Sequence, residues 1–333
     1  MKALVTGATG FLGAATVARL RAAGVSVRAL VRSEGAGGEA EDRCVGDLRD
    51  TASLARAVDG VDWVVHAGAR VSTRGAWEEF ESINVRGTEA LIEQAVAAGV
   101  RRIVHVSSLS VYAVPTDGAT IGEESAYDDG ADERGFYARS KLAANQLACR
   151  AMRAGAPITI VRPGLLYGPG RVPPLARRVA ALGPLRVLFA SPNYLLPLAY
   201  VDNVADAIVL AARVEGAHGR AYTIVDVHAR QADYARLYRE IGGQHWRALY
   251  TPRPLLRLAA SGAETAARLL GRRAPITRHQ VERTLRSATF VTQRAHDELG
   301  WQPRVPLDEA LRRTFAARGV TAANGAAPAH SPA

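Results

Sequence analysis

The sequence predicts an α/β fold, a doubly wound parallel sheet with a smaller, mainly helical C-terminal unit. Three observations carry this. Short, nearly unbroken apolar strands alternate with helices over the first half of the chain. A glycine-rich turn joins the first strand to the first helix. After Arg162 the alternation gives way to stretches rich in Gly and Pro and then to helical patterns. The sheet-bearing unit is expected over 1–165 plus about 198–226, and the smaller unit over about 166–197 plus 227–318.

In order, the pattern predicts a strand at 2–6, a helix at 10–23, and a strand at 25–31 that ends in Arg32. A short strand at 44–46 and a helix at 51–58 follow, then an apolar strand at 61–66. Apolar residues at helical spacing predict a long helix over 77–98. A strand at 102–107, a second long helix at 136–153 and a strand at 158–162 complete this part. Residues 168–174 and 183–197 read as loops with short elements, 201–213 as a helix, and 221–225 as a strand able to return to the sheet. From Gln231 onward the reading is mainly helical. Residues 255–270 form an amphipathic pattern interrupted by Arg257 and Arg268, which predicts a surface helix and not a membrane anchor. The Ala/Pro/Ser-rich segment 319–333 has little to bury and is expected to be a disordered tail.

Composition bounds the function. Of 333 residues 48% are hydrophobic, enough for a sizeable core. No apolar run approaches the roughly 20 residues that span a bilayer. Met1-Lys2 runs directly into the strand Ala3-Leu4-Val5, which argues against a secretory leader. Cys44 and Cys149 lie far apart, without metal-type spacing, and are expected to be reduced thiols in a cytoplasmic protein. The net charge of +10 invites a nucleic-acid reading. The arginines are spread along helices, however, and no basic run interleaves aromatics, so no nucleic-acid partner is expected. The eight histidines are scattered, and no metal site is expected.

The turn Thr6-Gly7-Ala8-Thr9-Gly10-Phe11-Leu12-Gly13 lies between a strand and a helix. Glycines at 7, 10 and 13 permit a tight turn, close approach to a pyrophosphate, and close packing of helix on sheet. The helix N-terminus then offers free N–H groups to the anion. Its place in the chain is the context that dinucleotide binding requires. The second strand bears on which dinucleotide. NAD binders commonly place Asp or Glu at its end. Here no carboxylate stands there, and Arg32, together with Arg28, could meet a 2′-phosphate, which favours NADP(H) over NAD(H). The alternative is that Arg32 is one more surface arginine.

Tyr137-Ala138-Arg139-Ser140-Lys141 places a phenol and an ammonium four residues apart on one helix face. A free tyrosine, with a pKa of about 10, is a poor acid or base at neutral pH. A nearby cation lowers that value and makes proton exchange with an alcohol or carbonyl practicable. Of 42 basic residues only Lys2 and Lys141 are lysines, and one of the two fills this position. Ser108 ends the strand Ile103–Ser107 at a carboxyl edge of the sheet, where open α/β folds place ligands. Its hydroxyl can polarise a substrate oxygen, or simply cap a turn.

With Thr6–Gly13, Asp47-Leu48, His66-Ala67-Gly68-Ala69, Asn84-Val85-Arg86-Gly87-Thr88, Val106-Ser107-Ser108, Tyr137–Lys141, Arg162-Pro163-Gly164, Tyr167-Gly168-Pro169, Tyr200–Ala207 and Leu299–Pro303 in this order, the chain resembles the extended short-chain dehydrogenase/reductase superfamily from about residue 2 to about 315. The resemblance implies a Rossmann domain with a substrate-binding cap. It implies Tyr137 as proton donor and acceptor, Lys141 on the nicotinamide ribose and Ser108 on the substrate oxygen. Asp47 and Leu48 would flank the adenine. Ala67, Gly68 and Ala69 would line the middle of the cofactor, with Asn84 and Ser107 also in its site. Pro163, Gly164 and Leu165 would border the nicotinamide. Relatives often form homodimers through the two long helices, here 77–98 and 136–153. His66 and His105 receive no role and are expected to be packed or hydrogen-bonded locally.

Departures from neighbouring branches narrow the reading. Ser108-Leu109-Ser110 lacks the acid that sugar-nucleotide dehydratases of this superfamily carry after the serine strand. Leu165 stands where many sugar-nucleotide epimerases have Asn, which suits an apolar substrate. The stretch Val27–Arg32 resembles dihydroflavonol-4-reductases. The nearest resemblance is to the 3-beta-hydroxysteroid dehydrogenase and dihydroflavonol-reductase-like branch. It implies hydride transfer between a nicotinamide and a secondary alcohol or ketone of a fairly apolar small molecule. The alternatives are a sugar-nucleotide epimerase using the same triad, with Arg171, Arg177, Arg178 and Arg186 available for a diphosphate, and a dinucleotide sensor without chemistry. Tyr194, Leu195, Leu196, Trp246 and Tyr250 either line a pocket or pack.

Overall fold

The computed structural model describes residues 1–34, 40–72, 74–131, 135–171, 179–182, 184–188, 191–270, 281–282 and 285–317. The predicted tail 319–333 and the candidate anion ligands Arg177 and Arg178 lie outside these. Seven parallel strands form the central sheet: β1 (Lys2–Thr6), β2 (Ser26–Val31), β3 (Asp42–Val45), β4 (Trp63–His66), β5 (Arg102–Val106), β6 (Ile158–Pro163) and β7 (Ala221–Ile224). Their order is β3-β2-β1-β4-β5-β6-β7. The chain therefore steps outward in one direction from β1, returns, and steps outward in the other. The reversal between β1 and β4 opens a crevice at the carboxyl ends of those strands.

The strands are apolar on both sides because helices cover both faces. Ala3, Val5, Val27, Ala29, Val65 and Val104 face one layer, with Val17 and Leu20 of α1 (Phe11–Ala22) and Val204 and Ile208 of α5 (Val201–Arg213). Leu4, Val64, Ile103, Ile158 and Ile160 face the other, against Leu54 and Val58 of α2 (Thr51–Val58), Leu91 and Ile92 of α3 (Gly87–Ala97) and Ala148 of α4 (Phe136–Arg153). Asp50 starts α2 by accepting the Ala52 N–H.

The long helix expected over 77–98 is present but broken. A turn of α-helix, Trp77–Phe80, passes into a π-helical stretch, Glu81–Arg86, before α3 begins. The extra residue in the turn carries Asn84 inward, where its side chain is fully engaged. The short elements expected within 183–197 are the strand Leu185–Leu188 and the start of the strand Leu195–Tyr200. The smaller unit carries these short strands beside its longer helices. Leu195–Tyr200 lies between Leu165–Tyr167 and Val227–Arg230, and Leu185–Leu188 lies between Val179–Leu182 and Arg247–Tyr250. Ala288–Phe290 pairs with Ala119–Ile121. These strands are three to six residues long. So short a run shows no period. The expected amphipathic helix is Arg253–Leu269, with Ala260 and Ala267 buried and Leu255, Leu258 and Leu269 exposed. No helix of the described residues is long and apolar enough to cross a membrane. Cys44 and Cys149 are unpaired.

Asn203, on the first turn of α5, fastens the edge strand and the C-terminal segment to the sheet. Its amide group donates to Asp226 Oδ2 (2.9 Å) and to the Val305 carbonyl (3.0 Å), while its Oδ1 accepts from the Arg304 and Val305 N–H groups. The indole N–H of Trp301 donates to the Asn203 carbonyl at 2.9 Å. Asn203, Trp301 and Val305 are buried, so removing the amide strands several polar groups at once. Asn203→Ala is expected to lower unfolding free energy by about 3 kcal/mol in a urea titration. A loss below about 0.5 kcal/mol, the usual size for surface substitutions, would refute the clamp.

Candidate active site

The predicted site residues meet at one edge of the sheet. Thr6-Gly7, Arg32, Asp47, Ala67-Gly68, Ser107-Ser108 and Gly164 follow, or close, the carboxyl ends of six parallel strands. At the β1–α1 turn Gly7 has φ +69°, and a Cβ there would stand 2.7 Å from Gly68 Cα. A Cβ on Gly13 would stand 1.9 Å from the Gly7 carbonyl oxygen, so only glycine lets α1 seat on the turn. Gly10 differs. Its Cβ would meet only that same oxygen, at 3.1 Å, and the space in front of it is otherwise open. No side chain caps α1 and no acid occupies its first turn. An open, uncapped helix N-terminus behind a backbone free of side chains fits the pyrophosphate of a dinucleotide. Thr9 is exposed, Leu12 is buried, and Phe11 lies under the Arg171 guanidinium at 5.4 Å.

At the second strand, Arg32 and Arg28 have different fates. Arg28 bonds Asp42 (2.7 Å) and the carbonyls of Ala57 and Asp59 at the end of α2, so it is not a phosphate ligand. The cause is register: Arg28 lies mid-strand, opposite Asp42. Arg32 is exposed at the strand end and lines a cavity of about 530 Å³ with Arg49, Arg70 and Arg86. Each of those three pairs with a carboxylate: Arg49 with Asp47 (2.8 Å), Arg70 with Glu79 (2.6 Å) and Arg86 with Glu81 (3.0 Å). Arg32 has no ion pair among the described residues. Asp47 is held down to about 2 by the Arg49 guanidinium. Arg49 and Arg70 were not singled out from the sequence, since nothing separates them from the other arginines there. Leu48 packs on Gly87, where a Cβ would come within 2.8 Å of it.

Helix α4 brings the reactive groups to β5. Lys141 is buried, and its ammonium donates to the Val106 carbonyl at 2.6 Å. Burial brings its pKa down to about 8. One turn further, Asn145 Oδ1 accepts from Ser107 Oγ (2.9 Å) and from Arg162 Nε (3.1 Å). Arg162 is itself fully buried and also donates to the Tyr112 hydroxyl (2.5 Å) and the Tyr127 hydroxyl (2.8 Å). The strand end that carries Ser107 and Ser108 is thus tied to α4 and β6. Ser108 Oγ accepts the Ser110 N–H at 3.1 Å, which caps a short 3₁₀ turn and leaves its own proton to donate. Tyr137 is half-buried on the first turn of α4, four residues before Lys141. Its carbonyl accepts from Ser140 Oγ (3.0 Å), which in turn accepts from the Asn84 amide (2.9 Å).

Gly164 is explained by packing, since a Cβ there would stand 2.4 Å from the Pro197 carbonyl oxygen. Leu165 is 38% exposed, and Pro163 is buried. Tyr194 and Tyr250 line a second cavity of about 620 Å³ with Asn193, Arg253 and Ser287, whereas Leu196 and Trp246 are core. Among the described residues, no group of three His, Cys, Asp or Glu is arranged to hold a metal. The glycine contacts give a direct test. Gly13→Ala is expected to weaken dinucleotide binding at least tenfold by calorimetry and to cost about 1–3 kcal/mol of stability. Unchanged affinity would show that α1 is not seated by this contact.

Comparison with known proteins gives the family. The model of the NAD dependent epimerase/dehydratase family matches residues 3–224. A 4-hydroxy-2-methyl-3-oxo-4-farnesyl-3,4-dihydroquinoline-1-oxide ketoreductase of Stigmatella aurantiaca is 31% identical over 321 residues, 93% of this chain and 95% of the relative. A 3 beta-hydroxysteroid dehydrogenase/Delta 5-->4-isomerase of Mycobacterium tuberculosis is 28% identical over 328 residues, 93% of this chain and 88% of the relative. Among solved structures, gox2253 superposes with a TM-score of 0.83 at 28% identity, covering 97% of this chain and 99% of its own. The chain is therefore an NAD-dependent dehydrogenase, reductase or epimerase, and it belongs to the NAD dependent epimerase/dehydratase family.

Proposed function

We propose that this protein is a ketone/alcohol oxidoreductase, transferring a hydride between a nicotinamide dinucleotide, NADP(H) in preference to NAD(H), and a secondary alcohol or ketone of a fairly apolar small molecule. The observation that carries the reading is the buried Lys141 ammonium, fixed on the Val106 carbonyl beside Ser107-Ser108 and one turn from Tyr137. The similarity to a ketoreductase and a hydroxysteroid dehydrogenase supports the reaction type. Leu165, an exposed leucine at the strand end, supports an apolar substrate.

The nicotinamide, when bound, supplies or takes up the hydride. The chain supplies the rest. The first turn of α1, behind Gly7, Gly10 and Gly13, would hold the diphosphate, with Thr9, Phe11 and Leu12 beside it. Asp47 and Leu48 would flank the adenine, and Ala67, Gly68 and Ala69 the centre of the dinucleotide. Asn84 and Ser107 would support it from below, and Pro163, Gly164 and Leu165 would border the nicotinamide. In the reductive direction Tyr137 gives its phenolic proton to the carbonyl oxygen, which Ser108 also holds through its free O–H. With its pKa near 8, Lys141 is charged at neutral pH and favours the tyrosinate that remains. Lys141 would also hold the nicotinamide ribose.

We further propose that Arg32, without an ion pair among the described residues at the end of β2, takes a 2′-phosphate, and that two copies pair through the helices of 77–98 and 136–153. These helices present Trp77 and Phe136 together, ring centroids 6.0 Å apart, with Phe136 41% exposed.

Two experiments test the assignment. With NADPH and a panel of apolar ketones, followed at the nicotinamide absorbance, Tyr137→Phe is expected to abolish turnover with dinucleotide affinity unchanged, and retained turnover would sink the role of the phenol. Arg32→Ala is expected to raise KM for NADPH at least tenfold, about the worth of a charge-assisted contact, and to leave KM for NADH within twofold. Equal effects on both cofactors would refute a 2′-phosphate contact.

A further inference from the structure

His66, the last residue of β4, received no role from the sequence. It is buried beneath the turn, between two threonines. Its Nδ1 lies 2.7 Å from Thr6 Oγ1 and its Nε2 lies 2.8 Å from Thr88 Oγ1. The outer bonds fix the direction of the inner ones. Thr88 has one hydroxyl proton, and it donates to the Asn84 carbonyl at 2.7 Å, so Thr88 must accept from His66 Nε2–H. Thr6 Oγ1 accepts the Gly68 N–H at 3.1 Å, which leaves its proton for His66 Nδ1. One neutral tautomer satisfies every group, and protonation at Nδ1 would set a second donor against Thr6. Burial, with the Lys141 charge nearby, accordingly pulls the pKa of this histidine down to about 3.

The result is one directed chain of hydrogen bonds. It starts at the Gly68 N–H, which lies against Gly7 in the dinucleotide turn, and passes through Thr6, His66 and Thr88 to Asn84. The side chain of Asn84 then donates to Ser140, and Ser140 donates to the carbonyl of Tyr137. We infer that His66, held as the Nε2–H tautomer, is a positioning residue that couples the dinucleotide turn to the first turn of α4 and so sets the placement of the Tyr137 phenol. Asn84 belongs to the π-helical stretch, and its buried side chain reaches Ser140 from there. His105, whose ring lies 5.4 Å from that of His66, makes no hydrogen bond with either nitrogen among the described residues and is outside this network.

Two measurements test this. The first is independent of the reductase reading. In uniformly ¹⁵N-labelled protein, a long-range ¹H–¹⁵N correlation spectrum should show His66 as the neutral Nε2–H tautomer, without titration between about pH 5 and 8, the range in which an unperturbed histidine changes charge. An Nδ1–H tautomer, or a titration in that range, overturns the inference even where turnover is intact. The second rests on the proposed reaction. Thr88→Val removes the central hydroxyl at nearly constant volume, and Thr88→Ser keeps it. Thr88→Val is expected to lower kcat about tenfold, the effect of losing one buried hydrogen bond, with KM for the ketone within twofold, and Thr88→Ser to restore kcat to within twofold of the parent. Equal kcat in all three proteins, or an equal loss in both variants, assigns Thr88 to packing alone and overturns the coupling. Should Thr88→Val fail to fold, the tautomer of the parent protein still decides. Should no ketone be reduced, the reaction assignment falls and the tautomer measurement stands unaffected.

Discussion

A buried ammonium on a single carbonyl is the constraint around which the site is arranged. Lys141 is almost wholly removed from water, and among the described residues its one hydrogen bond is to the Val106 carbonyl. Burying a cation is costly unless strong polar contacts replace its hydration. Three consequences follow from its position. Helix α4 cannot slide along β5 without losing that bond. Tyr137 stands one helical turn before this fixed positive charge. The two histidines at the ends of β4 and β5 are kept neutral, first by their burial and then by the same ammonium. A second buried cation, Arg162, stands one strand further along and is satisfied by Asn145, two tyrosine hydroxyls and the Glu123 carbonyl. Asn145 joins the two systems. The end of β5 is therefore one of the most heavily tied segments of the chain, and it is the segment that carries Ser108.

The dinucleotide turn is held by the opposite means. There a side chain on Gly7 or Gly13 would strike backbone, and one on Gly68 the Thr6 hydroxyl. Backbone cannot swing aside as a flexible side chain can, so α1, β1 and β4 are packed closely on one another. Gly10 alone leaves its space open. The difference between these glycines separates two uses of one residue type: three serve to close the protein on itself, and one leaves the space in front of the helix clear.

Much of this was legible in the chain. The parallel sheet followed from unbroken apolar strands, because a strand covered on both faces has no polar side to show. Lys141 stood out because arginine fills nearly every other basic position, and arginine could not take its place as a compact point charge on one carbonyl. What was not legible is register and reach. Arg28 and Arg32 are both arginines of one strand, and only the pairing of Arg28 with Asp42 separates them. The link from Thr6 to His66 depends on these two strand ends being partners across β1 and β4, a fact that exists in the sheet and not in the sequence. The strands at 185–188 and 195–200 were legible only as short elements without a type, because a run of four to six residues carries no period.

The clamp at Asn203 has a consequence for the order of folding. It joins residue 203 to 301–305, and the same amide reaches Asp226 behind β7. The contacts to 301–305 span about a hundred residues of chain, so they cannot form on the ribosome until the C-terminal segment has emerged. By then β1 to β6 have all been available to pair, with their helices, for many seconds at typical synthesis rates of about 5–20 residues per second. The inner sheet can therefore assemble early, while its edge strand is secured last. A chain cut short before Trp301 would expose β7 as an unfastened edge, the kind of surface on which nascent sheets recruit one another.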